Sequence, residues 1–138
     1  MKKCFGILII CLGVFSKAVM ADSDEDIREI LQTSKHHIEI LADGNDTYTY
    51  RVWNKPKQVG QGQPDLEIPD GTMWGRISAT DIECMKGAKG YDFTLKNVEI
   101  HITMDGCPKK GQPRNATGVL DVFINGRQRS SFWVYTTP

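Results

Sequence analysis

Residues 84–107, CMKGAKGYDFTLKNVEIHITMDGC, decide the fold of this chain. The two cysteines enclose a glycine-rich turn, 86–90, and a run of alternating apolar and polar residues, 91–104, which is typical of half-buried β-strands. The apolar residues change from odd to even positions at Lys96-Asn97. Because side chains alternate with a period of two, we predict two strands, 91–95 and 98–104, with a bulge or a turn between them.

The N-terminal 21 residues have the order of a secretory signal peptide. A basic start, Met1-Lys2-Lys3, precedes the apolar run 5–15, and Val19 and Ala21 occupy the −3 and −1 positions of a cleavage site. The apolar run is shorter than the roughly 20 residues of a spanning helix. We therefore predict a cleaved signal peptide, 1–21, a single mature domain, 22–138, and no stable membrane insertion after cleavage. The basic start and the compact length favour a periplasmic or secreted bacterial protein.

Export determines the state of the cysteines. Cys4 and Cys11 leave with the signal peptide, so that Cys84 and Cys107 remain as a pair in an oxidising compartment. A disulfide between them is the expected outcome, and it leaves no thiol for a cysteine nucleophile.

Cleavage also changes the net charge. The full chain has 17 basic and 17 acidic residues, and the loss of three lysines leaves 14 against 17, a net charge of −3. Nucleic-acid partners need a clearly basic surface, so this charge argues against them.

Turn residues and β-formers dominate the remainder of the mature domain, with one exception at its start. Ser23, the acids that follow it and Ile27, Ile30 and Leu31 at helical spacing predict a short helix over 24–35. A hairpin is predicted over 37–42 and 47–53, followed by an irregular segment, 54–71, with 66–68 as a short edge strand, and by a strand over 72–79. We predict a mainly β fold, a small antiparallel sandwich or barrel with one N-terminal helix and one disulfide.

The pair Asn125-Gly126 predicts the last hairpin, 117–136. A plain two-residue turn would place Leu120 and Val122 on the face of charged and hydroxyl side chains. A turn with Gly126 as a bulge instead places them beside Ser130 and Phe132, with Asp121 opposite Arg129. We predict the bulged turn because it separates the faces better.

Few residues have the pattern of a catalytic or metal site. His36 and His37 are adjacent, and neighbours on a strand point to opposite faces, so they cannot bind one ion together. Glu99 and His101 share the polar face of one strand and could do acid–base chemistry, although an exposed strand face explains them equally well. We predict no cofactor, no metal and no enzymatic activity.

The aromatic residues and the 54–71 segment remain as candidates for binding. Long irregular connections are often functional, and exposed aromatic rings mark binding surfaces. Either the tryptophans or Tyr48 and Tyr50 form the exposed set, and the alternation does not decide between them. The predicted binding residues are Trp53, Asp65, Glu67, Asp70, Trp74 and Tyr91.

Residues 87–91, Gly-Ala-Lys-Gly-Tyr, are similar over this short length to the Ser-Gly-x-x-Tyr stretch of C-type lysozyme inhibitors, without the serine and with an extra glycine. Small exported β-domains with one disulfide include lysozyme inhibitors and immunity proteins against periplasmic toxins. We therefore predict a non-enzymatic binding protein that acts on another envelope or secreted protein. The alternatives are a structural subunit of a surface appendage or secretion machine, with 132–136 as an open sheet edge, and a small hydrolase-like enzyme that uses Glu99 and His101.

Overall fold

The computed structural model of the protein describes residues 27–75 and 82–137. Eight antiparallel strands form a closed barrel in which each strand pairs with its neighbours in sequence, and β1 pairs with β8. The strands are β1 (Ile27–Gln32), β2 (His36–Ala42), β3 (Tyr48–Asn54), β4 (Leu66–Gly75), β5 (Lys89–Leu95), β6 (Val98–Met104), β7 (Gly118–Ile124) and β8 (Arg127–Thr136). A short 3-10 turn, Glu83–Met85, precedes β5. The predicted mainly β fold is confirmed. Of the two predicted architectures, a sandwich and a barrel, the barrel is the one observed.

The predicted N-terminal helix is wrong over the part of it that the structure describes. Residues 27–32 form β1, which pairs Ile30 with Glu39 and Leu31 with Ile38. A serine cap and three apolar residues are weak helix signals, and pairing with β2, which buries Leu31 completely, outweighs them. Residues 24–26 and the predicted signal peptide lie outside the described residues.

The three hairpins follow their local signals. β2 and β3 pair in full, from His36 with Asn54 to Ala42 with Tyr48. At the predicted change of phase, β5 and β6 are separate strands joined by a two-residue turn, since Leu95 pairs with Val98.

The β7–β8 turn differs from the prediction in mechanism. Asn125 and Gly126 both have positive φ, 54° and 78°, so the turn is a plain two-residue turn of type I′. The extra residue is Arg129, further along β8, because Phe123 pairs with Gln128 and Val122 with Ser130. The bulge therefore restores the predicted separation of faces. Asp121 pairs with Ser131 rather than with Arg129.

One strand replaces two predicted ones between the β2–β3 hairpin and the β5–β6 hairpin. β4 runs continuously from Leu66 to Gly75 and pairs with both β3 and β5, so 66–68 is not an edge strand. Residues 76–79 of the predicted 72–79 strand lie outside the described part of the chain.

Inward-facing side chains from all eight strands form one core. Tyr91, Phe93 and Ile102 are fully buried at its centre, and Tyr48 and Tyr50 pack against the rings of β5.

The predicted disulfide is present: Cys84 and Cys107, with Cα atoms 4.7 Å apart, join the 3-10 turn to the segment after β6. This bond links the chain before the β5–β6 hairpin to the chain after it.

Candidate functional site at the open end of the barrel

The barrel has two different ends. The connections 33–35, 55–65, 96–97 and 125–126 lie at one end, which we call the open end. The connections 43–47 and 105–117 and residues 82–88 before β5 lie at the other, the sealed end, together with the disulfide.

An ion pair lies inside the barrel near the sealed end, where it lines a cavity of about 200 Å³. Lys89 Nζ contacts the carboxylate of Glu29, and both side chains are largely buried, with 13% and 14% of their surface exposed. The Tyr91 hydroxyl donates a hydrogen bond of 3.1 Å to the same carboxylate. Burial, followed by the charge of Glu29, raises the pKa of Tyr91, so its hydroxyl stays protonated and remains a donor. The Arg28 guanidinium lies 6.0 Å from the centre of the Tyr48 ring and adds a cation–π contact.

The open end contains a cavity of about 350 Å³, which we call the cup. Its wall consists mainly of apolar side chains that point inward from β3, β4, β6, β7 and β8: Val52, Leu66, Val98, Ile100, Leu120, Val122 and Phe132. Polar side chains stand among them and around them: His36, Tyr50, Asn54, Asp65 and Ser130. An apolar cavity with a few polar groups has the form of a small-molecule site.

Of these polar residues, Tyr50 is buried and His36 is partly buried. Tyr50 is 3% exposed, and no hydrogen bond to its hydroxyl is found within the residues that the structure describes. Burial raises the pKa of this hydroxyl, so it is a neutral donor. His36 packs edge-on against Phe132, with ring centroids 5.1 Å apart, and its Nδ1 lies 3.0 Å from Thr33 Oγ1. Burial, with the charges of Lys35 and Lys55, lowers the pKa of His36 and keeps it neutral at pH 7.

The β3–β4 loop, residues 55–65, is held in one conformation beside the cup. Trp53 Nε1 donates a hydrogen bond of 3.1 Å to the Gly62 carbonyl. Asp65 accepts one of 2.6 Å from the Asn54 amide and one of 2.7 Å from Lys57 Nζ, and these bonds lower the pKa of Asp65. His37 Nδ1 lies 2.9 Å from the Lys57 carbonyl. Side chains at both ends of the loop therefore fix its shape.

The predicted binding residues do not form one surface. Trp53 and Tyr91 are buried, with 2% and 0% exposed, so neither ring is available on the surface to a partner. Asp65 and Glu67 lie near the open end, but each carboxylate is paired, Asp65 with Lys57 and Glu67 with Arg51.

Asp70 and Trp74 lie further along β4, toward the sealed end. Asp70 is exposed with φ 61°, at the irregular part of the β3–β4 pairing. Trp74 is half-buried, and its ring lies directly against Gly90. Of the two alternatives for the aromatic residues, Tyr48 and Tyr50 are core and are not the exposed set.

The sequence prediction missed the cup itself. The sequence does contain a signal for the cup, because polar residues such as His36 and Ser130 occupy inward positions near the ends of their strands. That signal becomes interpretable only when the strands are known to close into a barrel.

His101 lies outside the barrel between two carboxylates. Its Nδ1 is 2.6 Å from Asp92 Oδ1, and its Nε2 is 3.0 Å from Glu99 Oε1. Burial opposes protonation of this imidazole, but the two hydrogen bonds outweigh it and raise the pKa of His101. The group favours a positively charged imidazolium held between two anions, with both ring nitrogens occupied, so neither nitrogen is free to accept a proton from a substrate.

Over the described ranges, no group of three or more His, Cys, Asp or Glu side chains could hold a metal ion. No helix in the same ranges is long and apolar enough to cross a membrane. Comparisons of the chain with protein families, with curated proteins and with solved structures find no match.

Proposed function

We propose that this protein is an exported, non-enzymatic binding protein that acts on another envelope or secreted protein, in the manner of an inhibitor or an immunity protein. The single observation that carries the proposal is the β3–β4 loop, which is long, largely exposed and yet fixed by the hydrogen bonds of Trp53 and Asp65. A loop with a preset shape loses little conformational entropy when it meets a partner, and such loops on rigid scaffolds commonly carry recognition.

The charge of the open end indicates the chemistry of the partner. The predicted acidic contacts are neutralised, since Asp65 is paired with Lys57 and Glu67 with Arg51. The basic residues in and beside the loops are more numerous: Lys35, Lys55, Lys57, Lys96, Arg127 and Arg129. A partner with an acidic surface patch fits this end, because complementary charge accelerates encounter and fixes orientation.

The disulfide suggests that the protein folds in an oxidising compartment, and this supports the export that we propose. A periplasmic or secreted location remains part of the proposal, together with the inhibitor or immunity role.

The other two functions have less support. An assembly subunit needs an unpaired sheet edge, and the predicted edge, 132–136, is partly occupied, since Tyr135 and Thr136 pair with β1. An enzyme based on Glu99 and His101 needs a free base, whereas both nitrogens of His101 are bound to carboxylates.

Site-specific photo-crosslinking tests the proposal. A photoreactive amino acid replaces Gln61, an exposed residue of the β3–β4 loop, and in the matched control it replaces Lys110, an exposed residue near the sealed end. After irradiation in envelope extract, we expect a defined protein adduct from position 61 alone, weakened by added salt as for an acidic partner. No adduct at position 61, or the same adducts from both positions, would contradict the proposal.

A further inference from the structure

We propose that the cup binds a small anionic amphiphile, with its apolar body between the strands and its acidic group at the basic rim. This inference does not depend on the protein partner proposed above. It assigns a small-molecule site to the inside of the barrel, whereas the protein partner meets the outside of a loop.

The first support is apolar surface that the core leaves uncovered. An eight-stranded barrel either fills its interior with side chains or holds one small ligand. Toward the sealed end, Tyr91, Phe93 and Met104 pack the interior and are 0 to 2% exposed, and the cavity of about 200 Å³ at that end has a mainly charged lining of Arg28, Glu29 and Lys89. In the other half several cup-lining apolar side chains stay partly exposed although they point inward: Leu66, Val98, Val122 and Phe132.

The second support is the Tyr50 hydroxyl. It belongs to a side chain that lines the cup and is 3% exposed, and within the described residues it has no hydrogen-bond partner. A buried polar group is almost always hydrogen-bonded, because burial without a partner is costly. A ligand with an oxygen acceptor that reaches Tyr50 would satisfy this hydroxyl, so the structure calls for an acceptor as well as an apolar body.

The volume limits the size of the ligand. An engineered apolar cavity of about 150 Å³ binds benzene, with its six carbons. By proportion, the cup of about 350 Å³ accommodates a body of roughly 14 non-hydrogen atoms. A two-ring aromatic acid or a medium-length acyl chain has this size.

The rim determines the sign of the head group. Lys35 and Lys55 adjoin His36, and Arg129 bulges from β8 one residue before Ser130, which lines the cup. Asp65 is the one carboxylate in the cup wall among the residues that the structure describes, and it is already paired with Lys57. His36 is neutral and does not repel either sign. The uncompensated charge at the mouth is therefore positive, and it favours an anion.

A charge-matched probe series tests the proposal on the full mature domain: 2-naphthoate, neutral 2-naphthamide and cationic 2-naphthylmethylammonium. By calorimetry and amide NMR shifts, we expect 2-naphthoate to bind with a Kd below about 1 mM. We expect the neutral probe to bind about threefold more weakly and the cation more weakly still. No binding of 2-naphthoate at millimolar concentration, or preference for the cation, would overturn the proposal.

Variants then locate the site. Val122→Trp fills the cup, and Thr94→Trp places the same side chain on the exposed outer face of β5 as a control. Naphthoate binding should disappear in Val122→Trp and persist in Thr94→Trp. If Val122→Trp does not fold, Ser130→Phe fills the same cavity from β8. Binding that survives in a folded cup-filling variant would overturn the assignment.

Tyr50→Phe tests the hydroxyl without changing the shape of the core. The probe for this test is 6-hydroxy-2-naphthoate, whose hydroxyl oxygen lies at the opposite end of the ring system from the carboxylate and can accept a hydrogen bond from Tyr50. Loss of this one neutral hydrogen bond in Tyr50→Phe should weaken its binding by about 2- to 12-fold. Unchanged affinity would show that the hydroxyl does not contact the ligand and would overturn that part of the proposal.

Discussion

Neutralising Glu29 should destabilise the barrel because it leaves Lys89 buried without a counter-ion. In Glu29→Gln, the neutral amide can still accept the hydrogen bond from Tyr91, but Lys89 loses its counter-ion while only 13% of its side chain is exposed. Breaking a fully buried pair costs about 3–5 kcal/mol, and breaking an exposed one costs at most about 1 kcal/mol. For a pair buried to this degree we expect a loss of about 2–3 kcal/mol.

The converse variant gives a second, independent estimate of the same coupling. Lys89→Met leaves the Glu29 carboxylate with Tyr91 alone, and we expect a similar loss. The double variant removes both charges, so its loss should be smaller than the sum of the two single losses by a coupling of about 1–2 kcal/mol.

Urea unfolding followed by tryptophan fluorescence measures these losses, with the disulfide intact. Lys86→Met is the matched control, since its pair with Glu83 is far more exposed, at 49% and 88%. We expect less than about 0.5 kcal/mol there. A loss below about 0.5 kcal/mol in Glu29→Gln, or strict additivity in the double variant, would refute the role given to this pair.

Three further predictions concern the disulfide, His101 and one glycine. Replacing Cys84 and Cys107 by alanine opens a loop with a sequence separation of 23 and should cost about 3.5 kcal/mol on the chain-entropy treatment, seen as a lower urea midpoint; an unchanged midpoint would contradict this. Because the pKa of His101 is raised in the fold, its stabilising effect is fully present below its unfolded pKa of about 6.5 and is lost as pH rises through the raised value. The stability difference between the wild type and His101→Gln should therefore be larger at pH 6 than at pH 8, and a difference that grows with pH would have the wrong sign. A Cβ at Gly118 would lie 2.1 Å from the Thr103 carbonyl oxygen, so Gly118→Ala should lose about 1–3 kcal/mol in thermal unfolding, whereas Gly106→Ala, with 3.6 Å of clearance, should change little.

Local patterns predicted the hairpins well because their information lies within a few residues. The phase change at Lys96-Asn97 located a turn, and Asn125-Gly126 located another. The separation of apolar and polar side chains on the two faces of β7 and β8 was also predictable. The position of the bulge that produces it was not, because a bulge at Gly126 and one at Arg129 give the same separation of the two faces.

Features that depend on distant contacts were not predictable in the same way. The alternation in β3 separates Tyr50 from Trp53 but does not say which face is inside. Both are buried, because Tyr50 points into the barrel while the β3–β4 loop covers Trp53 from outside through Gly62. The acids before β1 suggested a helix because they resemble a helix N-terminus, whereas pairing with β2 and with the distant β8 makes residues 27–32 a strand.

The candidate site had the same limitation. Asp65 and Glu67 read as free acids in the sequence, but Lys57 and Arg51 neutralise them in the fold. The sequence could not show that the six basic residues, spread from Lys35 to Arg129, lie in or beside connections at the same end of the barrel.

The closure of the barrel has a consequence for how the chain reaches this structure. All strand pairs except one join neighbours in sequence, and such local contacts form quickly. The exception is β1 with β8. Over the described part of the chain it pairs only Leu31 with Thr136 and Gln32 with Tyr135, with one further bond from the Thr137 amide to the Ile30 carbonyl. It spans the greatest sequence distance for the fewest bonds, so we expect a curved sheet to form first and this seam to join last. The amides along the seam are then the ones to exchange with solvent at the lowest free energy, by opening that leaves the other seven pairings intact.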